Sequence, residues 1–211
     1  MGGAMRMLCY TGGPVACNAY LLLPEGTGKA VLIDAPEGVA DWVAAQLPAD
    51  MRLAQLLLTH QHFDHVQDAA AVQRRFGCGI SAFCPPDDEL TLAAAAAAWG
   101  LPPTPPYTVD APVGGAATGD WGGMAWQVFS IPGHSRDGLA YYLPAEGVVF
   151  VGDILFAGAV GRTDFPGGSM RTLTEGIRRH LLSLPPATRV CCGHGPATTI
   201  GEELLTNPYL S

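Results

Sequence analysis

Residues 59–68 read THQHFDHVQD. Three of the chain's six histidines, His60, His62 and His65, stand here within six positions, together with Asp64. Imidazoles beside a carboxylate at this density form a donor set for zinc, manganese or iron, which accept nitrogen and oxygen ligands. The apolar run LAQLLLT (53–59) leads straight into the motif and has the length and continuity of a central buried strand. Residues two apart at the end of such a strand project to one side, so His60 and His62 are expected to reach one point. Asp64 and His65 fall in the turn that opens the next helix and face the same cavity from another direction. A lone His-x-His is more often a surface feature; four such residues in six positions are not.

Outward from the motif, short apolar runs alternate with turn signals. AYLLL (19–23) and AVLID (30–34) flank PEGTGK and read as two strands joined by a hairpin. EGVADWVAAQL (37–47) carries a helical period closed by Pro48. A helix is expected from His65 to Phe76, ended by Gly77, then a strand over GISAFC (79–84). DDELTLAAAAAAW (87–99) reads as a helix with acidic residues in its first turn, where the helix dipole favours them. The Pro/Gly-rich passage 100–123 reads as a long surface connection, partly a hairpin. Strands follow at MAWQVFSI (124–131), GLAYYL (138–143) and GVVFVGD (147–153), then an amphipathic helix over 169–184, a strand in TRVCCGHG (188–195) and a short helix near 199–206. Each half runs strand, strand, strand, helix. Two such halves face to face bury two sheets between outer helices, an α/β fold in the form of a four-layer αβ/βα sandwich.

Three further candidates stand where strands end. His134 lies in IPGHS, Asp153 in VGDILF and His194 in CCGHG. Taken singly, a Gly-His is more often a turn residue and an aspartate there a helix cap. Taken with the dense cluster they complete seven ligand-type groups on strand-end loops, the rim where sites gather. Such a set suits two metal ions bridged by one carboxylate.

Composition narrows the alternatives. With 48% hydrophobic residues the 211-residue chain can bury a sizeable core. Its net charge of −8, with no Lys/Arg run, argues against a nucleic-acid or anionic-membrane partner. The longest apolar run, 92–99, is too short to cross a bilayer, and the first twenty residues contain no apolar core of a signal peptide. A soluble, cytoplasmic location is expected. Six cysteines without CxxC spacing read as reduced, mostly buried thiols. Cys191 and Cys192 are read as strand core rather than catalytic, and of Tyr141 and Tyr142, alternating on a strand, one is expected in the core.

THQHFDH, PGHS, GD and GHG, in this order, resemble the metallo-β-lactamase-fold hydrolases over residues 5–210. FAGAVGRTDFPGGS (156–169) and TIGEELLTNPYL (199–210) are similar to the single-domain glyoxalase II-like (hydroxyacylglutathione hydrolase-like) proteins. The resemblance implies that His60, His62 and His134 bind a first metal and that Asp64, His65 and His194 bind a second. Asp153 would bridge the two, with Asp64 and Asp153 as the catalytic carboxylates. It implies two divalent ions, zinc foremost with iron or manganese as alternatives. Asp34, at the end of its strand, resembles the family aspartate that orients a ligand imidazole without touching metal. Two departures stand out: Gln67 replaces a usual glycine, and the single domain 1–211 lacks the C-terminal helical domain that holds glutathione in full-length glyoxalase II.

The expected reaction is hydrolysis of a thioester, such as a hydroxyacylglutathione conjugate, by a metal-activated hydroxide. Arg162, in GRTD, and Arg136 are candidates to hold a substrate carboxylate, with Asp164 pairing locally with Arg162. A mononuclear iron dioxygenase acting on glutathione persulfide uses similar motifs, and a carrier-bound acyl thioester is a further alternative substrate. Lactam or lactone hydrolysis ranks lower because the GRTDFPGG segment points elsewhere.

Overall fold

The computed structural model of the chain describes residues 5–115 and 117–210. Position 116, inside the passage read above as a surface connection, and residues 1–4 and 211 lie outside the described residues.

In chain order the first half contains β1 (Met5–Gly12), β2 (Cys17–Pro24), β3 (Lys29–Ile33), α1 (Val39–Gln46), β4 (Arg52–Leu57), α2 (Phe63–Val66), α3 (Ala69–Phe76), β5 (Gly79–Ala82), α4 (Ala93–Ala98) and β6 (Ala111–Pro112). The second half contains β7 (Ala117–Trp121), β8 (Met124–Ser130), β9 (Leu139–Leu143), β10 (Val148–Gly152), β11 (Leu155–Phe156), β12 (Ala159–Val160), α5 (Met170–Gly176), β13 (Arg189–Cys192), β14 (Thr198–Thr199) and α6 (Ile200–Thr206). Strands β1 to β6 form one sheet in sequence order, and a second runs β14-β13-β10-β9-β8-β7.

Strand alternation builds the layers. In β2 and β3, Ala19, Leu21, Leu23, Ala30 and Leu32 point to one face and pack under Val39, Val43, Val66 and Val72 of the first-half helices. The alternate residues Tyr20, Leu22, Val31 and Ile33 point the other way and meet Trp126, Val128, Tyr141 and Phe150 of the second sheet. On the far side of that sheet, Ala140, Val149, Val151 and Val190 pack under Leu173, Ile177, Leu181 and Ile200. Helices, sheet, sheet, helices: the four-layer αβ/βα sandwich expected from the sequence is the fold.

Local boundaries differ from the expectation in instructive places. The helix expected over 65–76 begins at Phe63 and is interrupted after Val66. There Asp68 turns inward, its N–H bonding the Ala35 carbonyl at 2.9 Å and its carboxylate accepting from the Ala40 N–H at 3.1 Å. The helix expected over 87–99 survives only as α4. Asp87 accepts from the Leu90 N–H at 2.8 Å, a local cap competing with helix, and Leu92 sits in the left-handed region at φ 51°. The long helix 169–184 starts as α5, capped by the Ser169 hydroxyl, and loosens to π turns over Ile177–Leu181. Both Tyr141 and Tyr142 are buried, because β9 is covered on both faces. No helix among the described residues is long and apolar enough to cross a membrane.

Candidate metal centre

The strand ends carry the chemistry. His60 and His62 are not on β4 itself; they occupy the loop 58–62 that follows it, and His62 is the residue before α2. Hydrogen bonds, rather than strand alternation, aim them. The Leu58 N–H bonds Ser81 O on the neighbouring strand at 2.9 Å, and the Thr59 carbonyl accepts from Leu139 N–H of the second sheet at 2.7 Å. The loop is thereby pinned from both sides. Asp64 and His65 follow within α2, where the His65 N–H closes the turn onto His62 O at 2.9 Å.

The partners arrive from the second sheet. His134 follows β8, Asp153 follows β10 and His194 follows β13. Two glycines let these loops close up. Gly152 stands at φ 50°, a left-handed conformation that glycine tolerates, and a Cβ there would strike the Thr59 side chain. A Cβ on Gly193 would strike Asp153 Oδ1 and come within 2.6 Å of His65 Cε1.

Seven candidate donors converge as two triads. In the first, His62 Nδ1 lies 3.0 Å from His60 Nε2 and 2.9 Å from His134 Nε2. In the second, Asp64 Oδ2 lies 3.1 Å from His194 Nε2 and 3.6 Å from His65 Nε2. Asp153 stands between them: Oδ1 is 3.3 Å from His65 Nε2, and Oδ2 is 3.4 Å from His194 Nε2 and 3.6 Å from His134 Nε2. Three of the five imidazoles are held from behind by groups outside the triads. His65 Nδ1 meets Asp34 Oδ2 at 2.8 Å, His134 Nδ1 meets Arg162 O at 2.8 Å and His194 Nδ1 meets Ala16 O at 3.3 Å. Asp34 therefore stands behind the His65 imidazole.

The triads differ in charge. Burial, reinforced by the surrounding imidazoles, holds His60 well below its ordinary range, and burial with His134 brings His62 down to about 3. Burial lowers His134 as well. These three rings are neutral at pH 7 and offer lone pairs. In the second triad burial also opposes charge on His194, but hydrogen bonds to Asp153 and Asp64 outweigh it and push the group up to about 10. Burial would likewise lower His65, yet the Cys17 sulfur and the carboxylates of Asp64, Asp34 and Asp153 raise it well above its usual value. Burial alone would raise Asp64 and Asp153; the neighbouring histidines, His65 foremost, hold both below the usual carboxylate range. Protons on His65 and His194 thus supply positive charge between two carboxylates.

This donor set fits divalent metal. Neutral imidazoles crowd nitrogen against nitrogen with little to gain from one another, and His65 Nε2 and Asp153 Oδ1 are buried without a hydrogen-bond partner among the described residues. A divalent ion would answer both features, and the groups able to hold one are His60, His62 and His134, and Asp64, His65 and His194, with Asp153 at 3.3–3.6 Å from members of both.

A cavity of about 380 Å³ opens over the cluster and is lined by His62, Asp64, His134, Asp153 and His194. Its other walls are mainly apolar: Val15, Phe63, Leu92, Trp99, Phe156 and Phe165. Among the described residues Arg162 is its one cationic wall residue apart from the histidines. The guanidinium lies 4.5 Å over the Phe165 ring and is paired with Asp164, Nε to Oδ1 at 2.6 Å. Arg136 is drawn elsewhere. It is paired with Asp87 and with Glu89 Oε1, the latter at 3.1 Å, and does not line this cavity. Cys191 and Cys192 are buried in β13 and join none of the donor groups, as core residues should.

Sequence reading passed over two parts of the site. Tyr107, in the Pro/Gly-rich passage, is buried and donates to Gln61 Oε1 at 2.7 Å, while the Gln61 amide donates to Asp137 Oδ2 at 3.2 Å. An aromatic residue isolated among prolines is the only local sign of it. Cys17 is the other, close to the second triad although 47 positions before Asp64 in sequence.

A profile of the metallo-beta-lactamase superfamily matches residues 12–194. The chain is 36% identical to "Hydroxyacylglutathione hydrolase GloC" of Haemophilus influenzae, over 90% of this chain and 91% of that protein. Among solved structures, that of the BLEG-1 B3 metallo-beta-lactamase superposes with a TM-score of 0.87 at 33% identity, covering 98% of this chain and 100% of the other. The structure of TTHA1623 in a di-iron-bound form superposes with a TM-score of 0.81 at 40% identity, covering 96% and 100%.

Proposed function

The chain belongs to the metallo-beta-lactamase superfamily, and from that premise we propose that it is a dinuclear metal-dependent hydrolase that cleaves an acyl thioester of the hydroxyacylglutathione type. The observation that carries this reading is the pair of donor triads joined through Asp153 beneath an open cavity. The similarity to the hydroxyacylglutathione hydrolase of Haemophilus influenzae supports the thioester. Zinc is the metal proposed, with iron the first alternative because the similar TTHA1623 structure holds two irons.

Divalent ions, held by His60, His62 and His134 and by Asp64, His65 and His194 with Asp153, would supply Lewis acidity for a thioester carbonyl and for water near neutral pH. The rest falls to the chain's own groups. Asp64 and Asp153, kept ionised, face the cavity, and one of them would take the proton of the attacking water and return it to the thiolate that leaves as the C–S bond breaks. Asp34, Arg162 O and Ala16 O fix the ring orientations of His65, His134 and His194, so the donors are arranged before substrate arrives. Phe63, Trp99 and Phe165 exclude water from the acyl side of the cavity. The Arg162 guanidinium, at the cavity wall, is placed to exchange Asp164 for a substrate carboxylate.

The deciding experiment measures thiol release from S-D-lactoylglutathione by zinc-loaded protein, with His60→Ala as control. Release that vanishes in the variant is expected. Absence of release from the metal-loaded protein sinks the glutathione thioester. Oxygen uptake by the iron-loaded protein with glutathione persulfide then identifies the dioxygenase reading, and release only from an acylated carrier protein identifies the carrier-linked one.

A further inference from the structure

Cys17 opens β2, opposite Gly12 of β1, and its side chain is fully buried. What it is buried against distinguishes it from the other cysteines. Its sulfur and one donor atom each of Asp64, His65 and His194 all lie within 4.8 Å of one another. Cys17 therefore sits with the donors of the second triad.

The chain is held there by more than packing. Ala16 is in the left-handed region at φ 55°, unusual for a residue with a side chain, and this turn presents Ala16 O to His194 Nδ1. One residue on, the Asn18 N–H donates to Gly193 O at 2.7 Å, and its side-chain amide donates to Cys192 O at 3.2 Å and Gly195 O at 3.0 Å. Cys17 is clamped between two residues that both bind the His194 loop. Its sulfur approaches Asn18 O at 3.7 Å and interacts with the His65 imidazole. An independent sign of a missing partner lies in the same space: His65 Nε2 is buried and has no hydrogen-bond partner among the described residues.

We propose that Cys17 is a metal ligand, its thiolate completing the second ion's coordination alongside Asp64, His65, His194 and Asp153. Cys17 is a free thiol, and a thiol ligates metal as the thiolate, with its proton lost. Coordination removes that proton to solvent, as it does for thiols bound to zinc. The sulfur donor makes the two positions chemically unequal. The first is all nitrogen plus a shared carboxylate; the second gains a soft ligand that favours zinc or iron over manganese or magnesium. The inference rests on the metal-centre reading above, and its test separates the two.

The test is X-ray absorption at the zinc edge of the fully loaded protein, beside the Cys17→Ser and Cys17→Ala variants with metal content measured for each. The expected wild-type spectrum contains a sulfur neighbour at about 2.3 Å, besides nitrogen and oxygen at about 2.0–2.1 Å, and both variants lose it. Cobalt loading gives a second readout, a thiolate-to-cobalt charge-transfer band in the near ultraviolet that the variants lack. Weaker retention of the second ion in the variants, by at least about 10–100-fold, accompanies these losses. Two bound metals with only nitrogen and oxygen neighbours in the wild type overturn the cysteine ligand and leave the metal centre standing. A sulfur signal that persists without Cys17 overturns it equally. Failure of the wild type to bind metal overturns both readings. The wild-type spectrum decides even if a variant fails to fold.

Discussion

Asp34 and His65 meet at 2.8 Å through Oδ2 and Nδ1, and the same carboxylate accepts from the Thr59 N–H and hydroxyl, each at 2.8 Å. Asp34 holds this position with φ at 58°, off the ordinary backbone regions. One strand-end residue thus braces both the His60 loop and a ring of the second triad. Replacing it with alanine orphans the Thr59 and His65 donors, at about 1–3 kcal/mol for each group left unsatisfied. The expected outcome of Asp34→Ala is a lower melting temperature together with about 10–100-fold weaker binding of one of two metal ions, read by competition with a chelator.

Metal binding should release protons. In the metal-free protein His194, raised to about 10, and His65, raised well above its ordinary value, are protonated at neutral pH. A cation entering between Asp64 and Asp153 displaces both protons, so roughly two are expected per protein loaded, more if a thiol is also deprotonated. Titration with zinc in weak buffer containing a pH indicator counts them. Release of none would show that the second triad does not receive the ion.

The same shifts set a stability profile. The folded pKa of His194 lies above its ordinary 6.5, so its stabilisation is complete below 6.5 and is lost as pH rises to about 10. Asp64 is shifted the opposite way from its ordinary 3.8, so its contribution is present above that value and disappears as pH falls. His60, His62 and His134 are shifted down, so keeping them neutral costs stability as pH falls below 6.5. Chelator-treated protein should therefore melt highest near pH 6.5 and lose stability on both sides, on the alkaline side up to about pH 10. Zinc-loaded protein should not show the alkaline loss, because an ion has replaced the protons.

Phe165 and Arg162 give a test of what the cavity holds. The Phe165 ring lies 5.2 Å from that of His62 and supports the guanidinium on its face. Phe165→Ala is expected to raise KM about tenfold or more, from the loss of roughly 1.5–3 kcal/mol of aromatic burial. Arg162→Ala should raise KM for an anionic thioester and leave that for a neutral thioester of the same acyl group unchanged. Asp164→Asn, which releases the guanidinium, should do the reverse. Equal effects on both substrates would show that Arg162 braces the loop only.

Glu203 is buried in α6 and accepts from Thr198 Oγ1 and Asn207 Nδ2, both at 2.7 Å, and from the Gly158 N–H at 2.9 Å. Gly158 lies in the hairpin of β11 and β12, just before the Arg162 loop. Glu203→Ala leaves three donors without their acceptor, so a loss of about 3 kcal/mol is expected in denaturant unfolding. Amide exchange at residues 157–160 should quicken ahead of the rest of the chain.

The motif at 59–68 was legible because its donors are neighbours in sequence and follow an apolar run. The remaining donors were legible because each follows a strand and a turn signal. Residues whose roles depend on register between distant strands were not. Cys17 reaches the second triad only because β2 begins beside the His194 loop, and nothing local in VACNAY marks that placement. Strand β1 escaped notice for a related reason: it is a half-exposed edge strand, and its side chains alternate in burial without forming an apolar run. The alanine-rich segment misled in the other direction. Its propensity is helical, but the Asp87 cap and the ion pairs of Asp87 and Glu89 with Arg136 hold the first turn in another form.

His62 and Asp64 come from the first sheet's side of the molecule, whereas His134 and His194, their partners at 2.9 and 3.1 Å, come from the second. Each triad is therefore a joint between two slabs whose mutual angle is fixed far below, by Trp126, Phe150, Tyr20 and Leu22 in the buried seam. The molecule behaves like a caliper. A change of volume in that seam, with no donor touched, is expected to alter the spacing between the jaws. Tuning of the reaction, by mutation or by heat, can thus be written in the hinge rather than in the bite.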